Sequence, residues 1–180
     1  MKIKLSLIVI GLCISMISFG QSKKKVRKLI RDSEVAKTEF LRSDFQMKDH
    51  FENAYAYVIF PNVGKGAVGV GGATGTGIVY ERGRIVGVAN LTQLSIGFQF
   101  GGQAYREIIF FETEKQLDDL KKNKIKLAAQ ASAVAATEGA SADAKYDKGV
   151  MVFTMQKGGL MYEASVGGQK FKFKPYNNKK

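Results

Sequence analysis

Glycine density is the feature that most constrains how this chain folds. Twelve of its 20 glycines lie between Gly64 and Gly102. A helix is disfavoured there, because each glycine in a helix interior costs about 1 kcal/mol relative to alanine. In strands, glycine marks bulges, sharp bends and close backbone approach. The stretch therefore predicts curved, closely packed β-strands.

The first 21 residues have the layout of a targeting segment. Lys2 and Lys4 precede an apolar run over Leu5–Phe19, and small residues follow before the hydrophilic chain resumes. A charged start, an apolar stretch and a small-residue site are typical of a secretory signal peptide. The run is shorter than the roughly 20 apolar residues of a membrane-spanning helix. We therefore predict a signal peptide over residues 1–21, cleaved near Gly20 or Gln21, and an exported, periplasmic protein.

The chain contains one cysteine and one histidine, Cys13 and His50. Cys13 raises the alternative of a lipoprotein signal, but the bulky Leu12 precedes it and the apolar run continues beyond it, which argues against lipidation. One cysteine and one histidine exclude a disulfide framework, a Cys/His zinc site and a Cys–His nucleophile pair. We predict no cofactor and no metal.

The positive charge is concentrated at the two ends of the mature chain. Without Lys2 and Lys4, 26 basic and 16 acidic residues remain, and residues 32–169 hold 15 basic and 16 acidic ones. Clustered positive charge attracts nucleic acid, acidic protein or anionic lipid, and export argues against nucleic acid. The alternative is a pair of solvated basic ends. The acid-free basic clusters are Lys23, Lys24, Lys25, Arg27, Lys28 and Arg31 at one end, and Lys170, Lys172, Lys174, Lys179 and Lys180 at the other.

Residues 22–53 have a helical pattern. Val26, Leu29 and Ile30 fall on one side at three- and four-residue spacing, and the basic residues fall on the opposite side. This predicts a basic amphipathic helix over 22–53, with a possible break near Ser43 and Asp44 that would give two helices. The apolar stripe and basic face together suggest reversible attachment to a membrane surface.

The remainder has the period-two pattern of strands, with one short helix. Thr113 is the expected N-cap of that helix. Eight or nine short strands predict an α+β fold with a strongly curved antiparallel β-sheet or barrel-like domain. Residues 125–135 read as a small-residue strand, with an alanine-rich helix as the alternative. Expected strands are 55–60, 66–70, 76–80, 85–89, 95–100, 104–111, 150–155, 160–166 and 171–173.

Four turns are expected between these strands. The pair Pro61 and Asn62 is expected to end the first strand, and residues 72–75 to join the next two. Residues 81–84 form a third turn. Residues 156–159 form a fourth, which would pair the two strands on either side of it as a hairpin.

Two motifs suggest chemistry only weakly. Gly64–Gly69 fits the G-x-G-x-x-G pattern, but a dinucleotide site needs that loop to open a helix, and more glycine and β-branched residues follow instead. His50 stands beside Asp49 on a helical stretch, without a second histidine or a nucleophile elbow, so a solvated or locally bonded histidine is the better interpretation. We predict no catalytic residue and no enzyme activity.

From Ala54 onward, about 120 residues resemble the SYLF domain family in motif order. The matching stretches are Ala56–Pro61, Gly64–Gly66, Val70–Gly77, Ser95–Gln103, Lys157–Leu160 and Ser165–Gly168. The resemblance implies a lipid-binding module without catalytic residues. Its eukaryotic members bind phosphoinositides and some bind actin, whereas bacterial members are commonly exported envelope proteins.

The chain departs from the family pattern in two places. Gly87–Asn90 stands where a Trp-Ser-x-Pro segment is common, and Thr137–Ala140 stands where a Gly-Pro-x-Gly-Arg segment is common. In eukaryotic relatives, lipid contact involves a basic amphipathic segment before the domain, and Lys23–Arg31 has a comparable character and position. The signal segment argues against actin as a partner.

These observations predict a signal peptide (1–21), a basic amphipathic segment (22–53), a SYLF-like β-rich domain (54–176) and a basic tail (177–180). The expected partner is an anionic phospholipid or another anionic envelope lipid, with an envelope protein as the alternative. In a last strand, three lysines point to one face while Phe171 and Phe173 enter the core. That row would extend the lipid surface if the first and last strands are neighbours, or only block edge aggregation. The candidate lipid-binding residues are Lys23, Lys24, Lys25, Arg27, Lys28, Arg31, Lys170, Lys172 and Lys174.

Overall fold

The structure, a computed structural model, describes residues 2–68, 70–95, 103–127, 132–135, 137–157 and 164–176. Within them it describes side chains from residue 23 onward, except those of residues 65–68, 70, 71, 94, 95, 103, 132, 164 and 165. Within these ranges the structure has three helices: α1 (Lys2–Ser43), α2 (Met47–Asn53) and α3 (Glu114–Lys121). The strands are β1 (Ala56–Val68), β2 (Val70–Glu81), β3 (Arg84–Ser95), β4 (Gln103–Phe111), β5 (Ser132–Ala135), β6 (Val150–Gln156), β7 (Ala164–Ser165) and β8 (Gln169–Pro175).

The eight strands form one sheet in the order β7-β5-β6-β4-β1-β2-β3-β8. Adjacent strands pair antiparallel except β5 and β6, which are parallel, so the sheet is mixed. The predicted α+β class is confirmed. Over the described strands the order runs from β7 to β8 without closing.

The sheet is strongly curved, as a contact across its concave face shows. Gln169 on β8 donates a hydrogen bond from Nε2 to Oε2 of Glu107 on β4, at 2.9 Å. Three strands lie between β4 and β8. Neighbouring strands are about 4.8 Å apart, so a flat sheet would separate these two strands by about 19 Å. The side chains meet because the sheet wraps round its inner face.

Each face of the sheet carries its own hydrophobic cluster, as strand alternation requires. The inner, concave face is filled by side chains such as Val58, Phe60 and Ile109, together with Leu117 and Leu120 of α3. The outer face is covered by the first two helices. Its cluster consists of Ala36, Phe40, Met47, Ala54, Tyr57, Ile59, Ile78, Tyr80, Ile108, Phe110, Met151 and Phe153.

Two of the predicted turns are wrong, because the chain stays extended there. β1 continues through Pro61 to Val68, and its register shifts between Ile59 and Val63. Proline has no N–H to donate to the ladder, so it is accommodated here as a bulge instead of a strand end. Residues 72–75 lie inside β2, where they pair with residues 63–66 of β1.

The expected pairing of the strands on either side of residues 156–159 is wrong for the described end of the second strand, residues 164 and 165. β7 pairs with β5, and β5 lies between β7 and β6. A short connection favours a hairpin, but β5 lies between the two strands and pairs with both of them. Of the strand or helix expected over 125–135, residues 132–135 form the short strand β5, and residues 125–127 contain an isolated bridge from Lys126 to Lys170. The expected strand segments 96–100 and 160–163 lie outside the described residues.

Three predictions that rested on neighbouring residues alone are confirmed. The turn at 81–84 is present as a two-residue connection in which Arg82 and Gly83 have φ of 48° and 76°, the pattern of the tight turns that match strand twist. Thr113 is the N-cap of α3. The helical segment breaks after Ser43, which gives the two helices α1 and α2.

Candidate functional site

The basic residues of the N-terminal cluster all lie exposed on α1. They are Lys23, Lys24, Lys25, Arg27, Lys28 and Arg31. Five of them, from Lys24 onward, line a shallow depression of about 410 Å³ on the solvent side of the helix. The structure thus brings these predicted site residues together on one continuous surface, which we call the basic face.

One acidic residue, Asp32, neutralises part of the basic face. Its carboxylate lies 3.1 Å from Nζ of Lys28 and 4.0 Å from Nε of Arg31. Both pairs are exposed, and exposed pairs of this kind contribute about 0–1 kcal/mol. Within the described part of the chain, no ion pair involves Lys23, Lys24, Lys25 or Arg27. Their charge is available to an anionic partner.

The apolar stripe of the same helix faces the sheet. Leu29 and Ile30 are half-buried against the outer cluster, and Ala36 and Phe40 further along the helix are fully buried. The sequence suggested that Val26, Leu29 and Ile30 would enter a membrane beside the basic residues. Leu29 and Ile30 instead dock the helix on its own domain, so the exposed side chains between residues 23 and 43 are predominantly polar.

Polar contacts also fix α1 on the sheet. Tyr80 donates a hydrogen bond to Glu34 at 2.8 Å, and Arg106 forms an ion pair with Glu39 at 2.5 Å. Lys37 donates to the hydroxyl oxygen of Tyr57 at 3.4 Å. Burial, with a smaller effect of the Glu34 charge, raises the pKa of Tyr57 to about 12, so this hydroxyl stays neutral at physiological pH. The basic face therefore has a fixed orientation relative to the sheet.

The second predicted cluster lies on β8. Lys170, Lys172 and Lys174 are exposed, while Phe171 is buried in the inner cluster. The predicted alternation of lysines outward and phenylalanines inward is confirmed. The suggested position of this strand beside β1 is wrong, because β8 pairs with β3.

The lysine row nevertheless belongs to the outer face on which α1 lies. Lys170 and Lys172 pair with Thr92 and Asn90 of β3. These two residues line a groove of about 500 Å³ whose other wall includes Leu29 and Asp32 of α1. The groove therefore separates the lysine row from the helix that carries the basic face.

The free edge of β8 is partly covered. Asn123 accepts a hydrogen bond from the backbone N–H of Phe173 at 2.7 Å, and Leu127 donates to the carbonyl of Gln169 at 3.1 Å. An edge protected in this way needs charged side chains less to prevent aggregation. This weakens the interpretation of the lysine row as an aggregation block alone.

His50 contacts a residue distant in sequence, where the sequence suggested a solvated or locally bonded side chain. Its Nε2 lies 2.9 Å from the carbonyl oxygen of Ser141, and its ring packs beside Phe110 and Phe153 at centroid distances of 5.9 and 5.6 Å. Asp49 next to it is exposed. Among the described residues, no group of three His, Cys, Asp or Glu side chains is arranged to hold a metal ion.

Sequence reasoning missed two buried carboxylates. Glu107 is fully buried on the concave face with Tyr105 and Gln169, and strand alternation around Ile109 was the signal that placed it inward. Burial is the main cause that raises the pKa of Tyr105. Asp44, 2% exposed, lies at the corner between α1 and α2, where no local pattern predicts burial.

The predicted signal segment lies at the start of α1. The structure describes a continuous helix from Lys2, while the side chains of residues 2–22, including Cys13, are outside the description, as are Lys179 and Lys180. In the described part of the chain, no helix combines the length and apolarity needed to cross a membrane. The signal peptide and the basic tail remain predictions.

Comparisons with known proteins link the C-terminal half of the chain to one family. Residues 92–180 match the family model described as "Ysc84: Las17-binding protein actin regulator". A curated relative, "Beta cell expansion factor A" of Aeromonas veronii, is 28% identical over 71 residues, which cover 39% of this chain and 27% of the relative. The chain thus matches only about a quarter of that relative's length. The matched region contains the lysine row, whereas the basic face lies before it.

Proposed function

We propose that the protein is a non-enzymatic exported module that binds anionic membrane surfaces. The support is its resemblance to the SYLF domain family and the match of residues 92–180 to the family model. Attachment takes place through the basic face of α1. The family match begins within β3, at residue 92, and the proposal adds the helix α1 that precedes it. The partner is an anionic phospholipid or another anionic lipid of the envelope.

The observation that carries this proposal is the unpaired charge of the basic face. Lys23, Lys24, Lys25 and Arg27 are exposed and take part in no ion pair within the described chain. Each basic residue close to an anionic surface contributes about 1 kcal/mol. Four such residues therefore contribute about 4 kcal/mol, which corresponds to roughly a thousandfold in partitioning. Salt weakens this attraction, since the Debye length is about 8 Å at physiological ionic strength.

Matched charge variants test the proposal by co-sedimentation with anionic vesicles. Replacing Lys24, Lys25 and Arg27 by glutamine should weaken binding about a hundredfold, because about 3 kcal/mol of attraction is removed. The control replaces three exposed lysines that belong to α3 and the turn after it, on the opposite side of the sheet: Lys115, Lys122 and Lys124. Equal losses of vesicle binding in the two variants would mean that only the net charge matters, and would contradict a localised binding surface.

The lysine row is proposed as a second part of the same surface. Lys170, Lys172 and Lys174 lie across the groove from α1, so a membrane that contacts the helix lies within reach of these long side chains. Replacing all three by glutamine should lower the affinity for anionic vesicles without changing the free energy of unfolding. An unchanged affinity would confine binding to the helix.

A second candidate function is an envelope interaction module without direct lipid binding. The docking of Leu29 and Ile30 on the sheet favours it, because these residues are then unavailable for insertion into a bilayer. Deleting residues 22–31 distinguishes the two functions. Vesicle binding should disappear under the first proposal, whereas capture of an envelope protein should survive under the second.

Export to the periplasm, with cleavage near Gly20 or Gln21, forms part of the proposal. Its support is the charge and apolar layout of residues 1–21. N-terminal sequencing of the protein recovered from a periplasmic fraction tests it. An intact N-terminus on a protein confined to the cytoplasm would contradict it.

A further inference from the structure

One large apolar side chain stands exposed between two buried residues, at the corner where α1 gives way to α2. Phe45 is 74% exposed, while Asp44 before it and Met47 two residues later are 2% and 0% exposed. Most aromatic side chains in folded domains are largely buried. Here the neighbouring residues enter the protein and the ring is left outside.

The corner is held in place by hydrogen bonds on both sides of the ring. Asp44 Oδ2 accepts from the backbone N–H of Ser141 at 2.8 Å, and Oδ1 accepts from the backbone N–H of Gln46 at 3.1 Å. The N–H of Asp44 donates to the carbonyl of Phe40 at 2.9 Å, which continues the helix ladder. Phe45 is therefore presented by a fixed backbone, and the exposure of its ring belongs to the fold.

The exposed ring comes two residues after the end of α1, whose solvent face carries the basic residues. With about 100° per residue, Lys24, Arg31, Val35 and Arg42 fall within about 40° of one another around the helix axis. Arg42 is exposed, and so is Val35, at 51%. The face therefore begins with the basic residues, passes an exposed valine and ends next to Phe45.

The two ends of this face differ in charge. Around Phe45, the cations Arg42 and Lys48 are balanced by Asp49 and Glu52, and Lys48 lies 3.7 Å from Glu52. The unpaired cations lie at the other end, about 27 Å away along the helix from Arg42, at 1.5 Å per residue. Charge attracts one end of α1 to an anionic surface, and the other end offers an aromatic ring.

We propose that Phe45 is an apolar anchor that enters the interfacial region of an anionic bilayer after the basic face has attached, so that α1 lies flat on the surface. The inference rests on the proposed function and adds a second contact point to it. A basic helix face with an aromatic residue on the same side is typical of interfacial membrane contact. The occupant is the bilayer because the helix that leads to the ring also carries the unpaired cations, whose charge is complementary to anionic lipid.

A tryptophan substitution reports the position of the ring directly, because the chain contains no tryptophan. With vesicles of phosphatidylglycerol and phosphatidylcholine, Phe45→Trp should show an emission shift to shorter wavelength and quenching by lipids brominated on the upper acyl chain. Lys122→Trp, exposed in the turn after α3, is the control and should show neither change.

An affinity measurement complements the fluorescence. Phe45→Ala should bind the same vesicles about tenfold more weakly, and Phe45→Leu should retain most of the affinity, because both effects follow the apolar area removed. The urea midpoint of Phe45→Ala should equal that of the wild type, because the ring is largely exposed.

The outcomes separate this inference from the function on which it rests. If anionic binding stays strong and salt-sensitive while Phe45→Trp emission is unshifted and Phe45→Ala binds like the wild type, the anchor is refuted and the basic face stands. If the wild type binds no vesicles, both fail. An emission shift that grows with protein concentration in the absence of lipid would mean that another protein surface covers the ring, and would overturn the inference.

Discussion

Replacing Asp44 by alanine should destabilise the protein substantially, although the residue lies in a loop between two helices. Its carboxylate accepts hydrogen bonds from the N–H groups of Ser141 and Gln46, and Ser141 is fully buried. Hydrogen bonds to charged groups contribute about 1.5–3 kcal/mol each. Part of this is offset, since the variant no longer buries a charge, so we expect a loss of about 2–4 kcal/mol in the free energy of unfolding.

Urea denaturation measures this loss. With a slope of about 2 kcal/mol per molar for a domain of this size, the midpoint should fall by about 1–2 M while the slope is unchanged. Asp143→Ala is the matched control, because Asp143 is an exposed carboxylate in the loop that Asp44 fixes. Its effect should stay within about 0.5 kcal/mol. A loss below about 1 kcal/mol for Asp44→Ala would refute the anchoring role.

The pH dependence provides a second check on Asp44. Burial raises the pKa of this carboxyl, but hydrogen bonds from the backbone outweigh burial and hold the pKa below its ordinary value. A carboxyl with a lowered pKa in the folded state stabilises fully above its ordinary pKa, and this stabilisation is lost as the pH falls through the folded pKa. The difference between wild type and Asp44→Ala should be constant from about pH 5 to 8 and shrink below about pH 4. The same difference at pH 3 and pH 7 would contradict this account.

Further predictions concern the sheet and the helix docked on it. Gly77→Ala should lower the free energy of unfolding by about 1–3 kcal/mol, because its new Cβ would lie 2.6 Å from the carbonyl oxygen of Ile59. The control Gly64→Ala, with no atom within 4 Å of its Cβ, should change the free energy of unfolding by less than about 0.5 kcal/mol. Equal urea midpoints for the two variants would contradict the close contact at Gly77. A double-mutant cycle of Arg106→Ala and Glu39→Ala should give a coupling energy of about 1 kcal/mol, since Arg106 is only 16% exposed. A coupling near zero would mean that the ion pair does not hold α1.

Local chemistry allowed several elements to be predicted from the sequence. Phe171 and Phe173 alternate with lysines, and a strand has no other way to place both sets than inward and outward. The turn at Arg82 and Gly83 was predictable because glycine and arginine there follow a strand end and precede a β-branched run. Both predictions depended on neighbouring residues only, and the structure confirms both.

Strand pairing was not predictable, because it depends on residues distant in sequence. Nothing near β8 indicates that it pairs with β3, and nothing near residues 156–159 shows that β5 would lie between β6 and β7. Pro61 interrupts the strand ladder, as its missing N–H requires, but β1 continues beyond it with a shift of register where the sequence predicted an end of the strand.

The sequence predicted which residues form the basic face, but it did not predict which way the apolar stripe of the helix faces. The basic residues of α1 form one exposed surface, as their spacing required. The amphipathic pattern alone does not distinguish a helix that faces a membrane from one that docks on a sheet, since both need an apolar stripe. The side chains of Tyr57 and Ile59, on a strand that follows later in the chain, decide that Leu29 and Ile30 turn inward.

The central claim is that α1 attaches the protein to anionic lipid by its basic face. The most direct test compares co-sedimentation of the wild type with vesicles of phosphatidylcholine alone and with vesicles containing phosphatidylglycerol, at low and at high salt. We expect binding to the anionic vesicles only, with loss of that binding at about 1 M salt, where the Debye length is about 3 Å. Equal binding to neutral and anionic vesicles that salt leaves unchanged would contradict the claim.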